Sequence, residues 1–336
     1  MRVISSCLIP DTGQSGSGLE RVQDLGDLDC DVVLTIGTFD GVHRGHQRLL
    51  AHLVRCAQET RRLSLVLTFC PHPRLFLHPE TQPAYLTTPE EKATLIESFG
   101  IDLLLLLPFT RQLADMPAEA FVGELYNRLR LRELWVGAGF ALGRGRAGDT
   151  GRLQAHASKL GYVLRIIAPV CHGGQVLSST RIRRLLSRGR VDAAARLLGR
   201  RYALSGKVVP GVQRGRCLGI RTANLRLETE KAIPANGVYA VWVLLDGDAH
   251  QGVANVGVRP SFGGGERLLE VHLLDHEDDL YGKDLVVEFV QGLRPELCFA
   301  DVPALVRQIR RDIDDARSVL AGKKVREIGA AVAQHR

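Results

Sequence analysis

Five short apolar runs recur through the first half of the chain: DVVLTI (31–36), LSLVLTF (63–69), LLLLL (103–107), ELWVG (133–137) and VLRIIAPV (163–170). Segments of helix length separate them. Strands that alternate with helices return parallel to one another, so the pattern predicts βαβ units and an α/β domain, a parallel sheet with helices on both faces. Helices are expected at 46–60, 89–99, 117–130 and 151–160. The second has the clearest ends: Thr88 as N-cap, Pro89 at the first helical position, acids in the first turn and Gly100 just past the last. Helical segments after Thr180 are expected to close this domain, 1–200.

After Tyr202 the texture changes. GVYAVWVLL, HQGVANVGV, RLLEVHLLD and DLVVEFV are strand-like runs punctuated by Gly, Asp and Pro, and only DVPALVRQIRRDIDDARSVL reads as a helix. A small antiparallel β-barrel with a C-terminal helix is expected over 201–322. Residues 323–336 lack apolar periodicity and read as a peripheral tail.

No apolar run approaches the roughly 20 residues of a membrane span; the leucines at 103–107 stop at Pro108. The N-terminus lacks the apolar core of a signal peptide. The seven cysteines are scattered without a C-x-x-C pair, which fits a reducing, cytoplasmic setting. A net charge of +7 is compatible with nucleic acid, an acidic membrane or phosphorylated small molecules. Aromatics make up only 5% and do not interleave with the basic clusters, so no stacking platform for a nucleic acid is evident. The densest basic stretch, STRIRRLLSRGR, carries Ile182, Leu185 and Leu186 at helical spacing and reads as an amphipathic helix. GRGRAG (143–148) fits G-x-G-x-x-G, but it is not on the first βα turn and no acid lies about 20 residues on, so it reads as a loop rather than a dinucleotide site.

TIGTFDGVHRGHQRLL, Thr35 to Leu50, places His43 and His46 between the strand DVVLTI and the next helix. Open α/β sheets bind ligands at the carboxyl ends of their strands. Gly37, Gly41 and Gly45 permit tight turns near a ligand, and a helix N-terminus offers unpaired N–H groups to an anion. Zinc would need a third ligand, for which His52 and His72 are candidates by composition alone. Metal binding, phosphate binding and a structural role all remain open on these residues by themselves.

GTFDGVHRGHQ resembles the H-x-G-H signature of the nucleotidyltransferase superfamily, and LSSTRIRRLL (177–186) resembles its second, phosphate-contacting motif. With TFCPHPR (68–74), LTTPEEKATLIESFGIDLLLLLPF (86–109) and the barrel stretch TANL…ANVGVRPSFGGGERLLEVHLLD, the chain resembles the bacterial bifunctional riboflavin kinase/FAD synthetases over nearly its whole length. The resemblance implies a Rossmann-like adenylyltransferase domain and a riboflavin kinase barrel. Riboflavin, FMN and ATP would be substrates, ATP would act with Mg²⁺, and FMN and FAD would be substrate and product rather than prosthetic groups. The protein would be a monomer or weakly self-associating, with neither nucleic acid nor membrane as partner.

In the first domain the resemblance implies that His43 and His46 act on the ATP phosphates in adenylyl transfer. Gly37, Phe39, Asp40, Gly45, Ser179, Thr180 and Arg181 would complete the nucleotide site, with Arg183 as an assistant or a solvated helix residue. In the barrel, Gly219, Thr222 and Asn224 correspond to the Mg²⁺–ATP motif, Thr222 offering a hard oxygen ligand. Glu270 is the implied general base. In RLLEVHLL, Leu269, Val271 and Leu273 share one strand face and leave Glu270 and His272 on the other.

Two segments depart from the family pattern. In GAGFALG, Gly139 stands where the family usually has a polar residue and Leu142 where it has a second aromatic, and Arg221 stands where it has proline before Thr-Ala-Asn. Arg221 is expected either to loosen its segment or to reach a phosphate. These departures leave room for a catalytically weakened flavin-binding or regulatory paralogue.

Overall fold

The computed structural model describes residues 1–5, 30–80, 84–210, 220–227, 230–258 and 267–322. Its first unit is built on six strands: β1 Arg2–Ser5, β2 Val32–Ile36, β3 Leu63–Cys70, β4 Leu103–Pro108, β5 Leu131–Gly137 and, beyond the short β6 Ala141–Leu142 and β7 Gly148–Asp149, β8 Val163–Ile167. All six run parallel in the order β1-β4-β3-β2-β5-β8. The chain builds outward from β2 through β3 to β4, then crosses back and continues from β5 to β8. The carboxyl end of β2 is therefore a topological switch point, where connections depart to opposite sides and leave a crevice.

The helices are α1 Arg44–Thr60, α2 Pro73–Leu77, α3 Pro89–Glu97, α4 Arg111–Asp115, α5 Ala118–Leu129 and α6 Thr150–Leu160. Alternation along β2 shows why both sheet faces are covered. Val33 packs with Leu50 and Leu53 of α1 and Ile96 of α3, while Leu34 packs with Val122 and Leu125 of α5 and Leu153 of α6. Thr88 caps α3 in a capping box with Glu91. The sequence reading lacks β1, so His43 and His46 follow the second parallel strand in chain order, not the first. A four-residue strand carries too little pattern to be distinguished from a frayed terminus.

The second unit contains α7 Ser179–Leu186, α8 Val191–Leu198 and a closed barrel. Its strands are β11 Tyr202–Val209, β12 Ala223–Leu227, β13 Gly237–Leu245, β14 Asp248–Val258, β15 Arg267–Leu273 and β16 Asp284–Arg294; β9 Cys171–His172 and β10 Gln175–Val176 form a separate hairpin of the first unit. Barrel neighbours pair antiparallel in the order β11-β12-β15-β14-β13-β16, and β16 closes onto β11. α9 Val302–Leu320 lays Ala316 and Leu320 over Val238, Ala240 and Val290, and Arg294 holds the buried Asp312 of that helix through both carboxylate oxygens.

The compact units divide between Ser178 and Ser179, with residues 83–86 belonging to the second. The sequence reading instead groups α7 and α8 with the first domain, ending at 200. α8 packs on β11 and β16, which places it with the barrel. Residues 323–336 lie outside the described residues.

Candidate active sites

A strained turn joins β2 to α1. Phe39 and Val42 adopt φ of 47° and 37°, a left-handed region that bulky residues rarely enter, and Gly41 lies at 79°. Burial on every side sustains this backbone: Phe39, Asp40 and Val42 are each 1% exposed. Gly41 N–H donates to Thr87 Oγ1 at 3.1 Å, and Thr87 N–H donates to Asp40 Oδ1 at 3.4 Å. Gly37 and Gly45 have packing reasons. A Cβ on Gly37 would meet the Phe39 ring at 3.0 Å, and one on Gly45 the His43 ring at 3.1 Å.

His43 is the N-cap of α1. Its Nδ1 accepts from the His46 backbone N–H at 3.3 Å, so in the neutral ring the proton sits on Nε2 and makes that atom a donor. The imidazoles of His43 and His46 stack with centroids 3.7 Å apart, and Phe39 packs against His46 at 5.1 Å. Burial first, then the neighbouring His43 and Lys92, hold His46 well below the ordinary imidazole value, so its ring is neutral at pH 7. Its Nδ1 is buried with no hydrogen-bond partner among the described residues. α1 has no acid in its first turn, leaving the positive end of the helix uncompensated there.

Lys92 is the residue that the sequence reading misses. It is 7% exposed on α3, its basicity lowered by burial against the opposing pull of Asp40 and Cys70. The available signal is its position on the buried stripe with Leu95 and Ile96, three and four residues on, where a lysine has no packing reason to be.

The other histidines have structural work. His52 stacks on Trp135 at 6.2 Å, and His72 caps α2 by accepting from Arg74 N–H at 3.1 Å. Among the described residues no group of three or more His, Cys, Asp or Glu is arranged to hold a metal. Two of the GRGRAG glycines, Gly143 and Gly148, also answer to packing. A Cβ on Gly143 would stand 2.6 Å from Ala118 N, and one on Gly148 2.1 Å from Ala118 Cβ. A Cβ on Gly139 would meet nothing within 4 Å, so packing does not demand that glycine.

His43 and His46 belong to the first unit; Ser179, Thr180 and Arg181 form the first turn of α7 in the second. Ile182 and Leu186 are fully buried and anchor that helix, and its first turn has no acid. Arg183 is neither freely solvated nor idle: its Nε donates to Ala84 O at 2.7 Å within the second unit.

In the barrel, Glu270 on β15 lies directly opposite Asn224 of β12 and Asn255 of β14. Registered neighbours share a face, so one carboxylate stands between two amides across three strands. Leu269, Val271 and Leu273 are buried on the alternate face, and Glu270 is half-buried. Thr222, exposed just before β12, lines a cavity of about 180 Å³ with Arg221, Val271, His276, Leu280 and Tyr281 among its walls. Arg221 Nη1 donates to the Glu277 carbonyl, and His272 Nδ1–H donates to the Arg221 carbonyl at 2.7 Å. The Arg221 side chain therefore ties its segment to a neighbouring loop rather than leaving it loose. The Glu277 carbonyl is supplied by a loop distant in sequence, a partner that no local pattern reveals. Gly219 lies outside the described residues.

A parallel-sheet unit with an H-x-G-H turn at its switch point, in one chain with a closed antiparallel barrel bearing a carboxylate rung, defines a nucleotidyltransferase combined with a kinase. The FAD synthetase family model matches residues 27–181 and the riboflavin kinase family model residues 198–320. The chain belongs to the bifunctional riboflavin kinase/FMN adenylyltransferase family, and it is an enzyme of both kinds. A bifunctional riboflavin kinase/FMN adenylyltransferase of Pseudomonas fluorescens is 42% identical over 86% of this chain and 93% of its own length. That of Escherichia coli K12 is 40% identical over 85% and 91%. A crystal structure described as a macrolide-efflux protein of Streptococcus pneumoniae has a TM-score of 0.81 and 30% identity, covering 88% of this chain and 97% of its own. Among the described residues no helix is long and apolar enough to cross a membrane.

Proposed function

We propose that the barrel phosphorylates the ribityl 5′-hydroxyl of riboflavin with ATP, and that the α/β unit then transfers AMP from a second ATP to the FMN phosphate, releasing pyrophosphate. The observation that carries the reading is the chemical contrast between the sites: a stacked imidazole pair with His46 held neutral in one, a half-buried carboxylate in the other. A phosphate nucleophile is already ionised and needs no strong base, so adenylyl transfer calls for positioning and charge stabilisation. Neutral His46 and the Nε2–H of His43 donate to the phosphates, and Lys92 adds positive charge behind them. Gly37, Phe39, Asp40 and Gly45 hold the turn in shape. In the second unit, the first turn of α7 offers the Ser179 and Thr180 hydroxyls and the Arg181 guanidinium, groups suited to phosphate oxygens.

An alcohol nucleophile must lose a proton as it attacks, which is the task of Glu270, with Asn224 and Asn255 orienting its carboxylate from either side. The donor chemistry fits a Mg²⁺ that arrives with the nucleotide, since such an ion needs few protein oxygens and Thr222 offers one beside the cavity. When bound, Mg²⁺ would neutralise phosphate charge; Thr222 and Asn224 would hold it against the nucleotide. The cavity beside Thr222 takes the kinase nucleotide.

Incubating the purified chain with riboflavin and Mg²⁺–ATP, then separating products by chromatography, tests the reading. FMN should form first and FAD follow. Neither flavin changing would point instead to a catalytically weakened paralogue and refute the proposal.

A further inference from the structure

The cavity beside Thr222 has two walls. One is the segment Arg221–Ala223 leading into β12, and the other is the loop between β15 and β16 that includes His276, Asp278, Asp279, Leu280 and Tyr281. The loop is tied at its ends. Asp275 accepts from Arg317 of α9 through both carboxylate oxygens, at 2.7 and 2.8 Å, and Gly282 N–H donates to Val208 O at 3.0 Å. Between those anchors, Glu277, Asp278 and Asp279 are exposed, and Asp279 Oδ1 accepts from Tyr281 N–H at 3.0 Å. The Arg221 guanidinium reaches across to the Glu277 carbonyl in the middle of this stretch.

Arg221 is itself fixed. Its carbonyl accepts from His272 Nδ1–H at 2.7 Å, and His272 stands two residues along β15 from Glu270 on the same strand face. One residue thus connects the strand of the proposed base, the segment carrying Thr222 and the opposite wall of the cavity.

We infer that Arg221 is a positioning residue for the kinase nucleotide: it latches the 275–281 loop across from Thr222 and sets the width of the nucleotide pocket before ATP arrives. The inference rests on the kinase reading of this barrel. A pre-ordered wall spares the nucleotide the cost of ordering the loop, so the latch acts on ATP affinity and not on the phosphoryl-transfer step. The bond is partly exposed to water, so its loss should have a moderate effect.

The test uses the full chain and compares wild type with Arg221→Ala and Arg221→Lys. Hydrogen exchange of the 275–281 peptide without nucleotide is the first measurement. Arg221→Ala should exchange several-fold faster there, and Arg221→Lys, which retains one donor, should fall between. In riboflavin phosphorylation, KM for ATP should rise about 3- to 10-fold in Arg221→Ala with kcat within about twofold, and Arg221→Lys should recover part of that loss. KM for riboflavin should not move. A raised KM with unchanged ligand-free exchange would mean that the guanidinium contacts phosphate directly, and overturns the latch. Unchanged KM and exchange overturn it as well, as would a uniform loss of both substrates' affinity and kcat, the mark of a damaged barrel. Wild type making no FMN would refute the kinase reading instead, while the exchange measurement still decides whether Arg221 orders the loop.

Discussion

The turn holding His43 and His46 and the rung holding Glu270 solve the same problem, fixing polar groups where a substrate is to react, by opposite means. The first is compressed into one stretch between β2 and α1, where three residues in left-handed backbone and a stacked pair of rings leave no freedom. His43 is buried and His46 is kept neutral. The second draws one residue from each of three strands, Asn224, Glu270 and Asn255, and brings them together through sheet register. Its carboxylate is half-buried. A reaction whose nucleophile is already ionised is served by rigid, neutral donors; one that must move a proton needs a titratable group.

The sharpest break between the two sites should come from Glu270→Gln, which keeps shape and removes the proposed base. FMN formation should fall by about 10²- to 10⁴-fold while FAD formation from supplied FMN continues, both read by chromatography of the flavins. A kinase rate within a few-fold of wild type would reduce Glu270 to a surface strand residue.

His46→Ala is the reciprocal cut. Removing one pre-organised donor to developing phosphate charge should slow FAD formation by about 10²- to 10³-fold and leave FMN formation nearly intact. Equal loss of both activities would show that the two sites are not separate.

The smallest effect is on stability, and it belongs to the first site alone. Because the folded protein holds His46 well below its ordinary value, the unfolded chain takes up a proton that the native state refuses once pH falls below about 6.5. Stability contributed by the neutral ring is complete above that pH and is lost as pH drops, by at most about 1.4 kcal/mol per unit. Denaturant melts from pH 7.5 to 5.5 should show a flatter decline for His46→Asn than for wild type. Parallel declines would mean that the imidazole is not kept neutral by the fold.

The turn residues of the first site, Gly37 to His46, are legible as one contiguous string because a strand end, a turn and a helix start follow one another in the chain, whereas Lys92 comes from α3. Glu270 is legible only as a carboxylate on the polar face of an alternating strand; its amide neighbours are 46 residues before it and 15 residues before it in sequence, and pairing them takes the sheet register. Arg221 reads from sequence as a charge in place of a rigid ring. Its partner, the Glu277 carbonyl, is a backbone atom, which no side-chain pattern announces.

Local physics is already written in the order of residues: apolar runs of strand length, capped helices such as α3, a Gly-rich turn before α1, and an alternation that turns Leu269, Val271 and Leu273 away from Glu270. Each depends on residues within a turn or a strand of one another. The assembled fold alone settles the strand order that makes the end of β2 a switch point, the closure of β16 onto β11, and the burial that keeps His46 neutral beside Lys92. Those outcomes are set by contacts between segments far apart in the chain, whose free energies are realised only when the whole core closes around them.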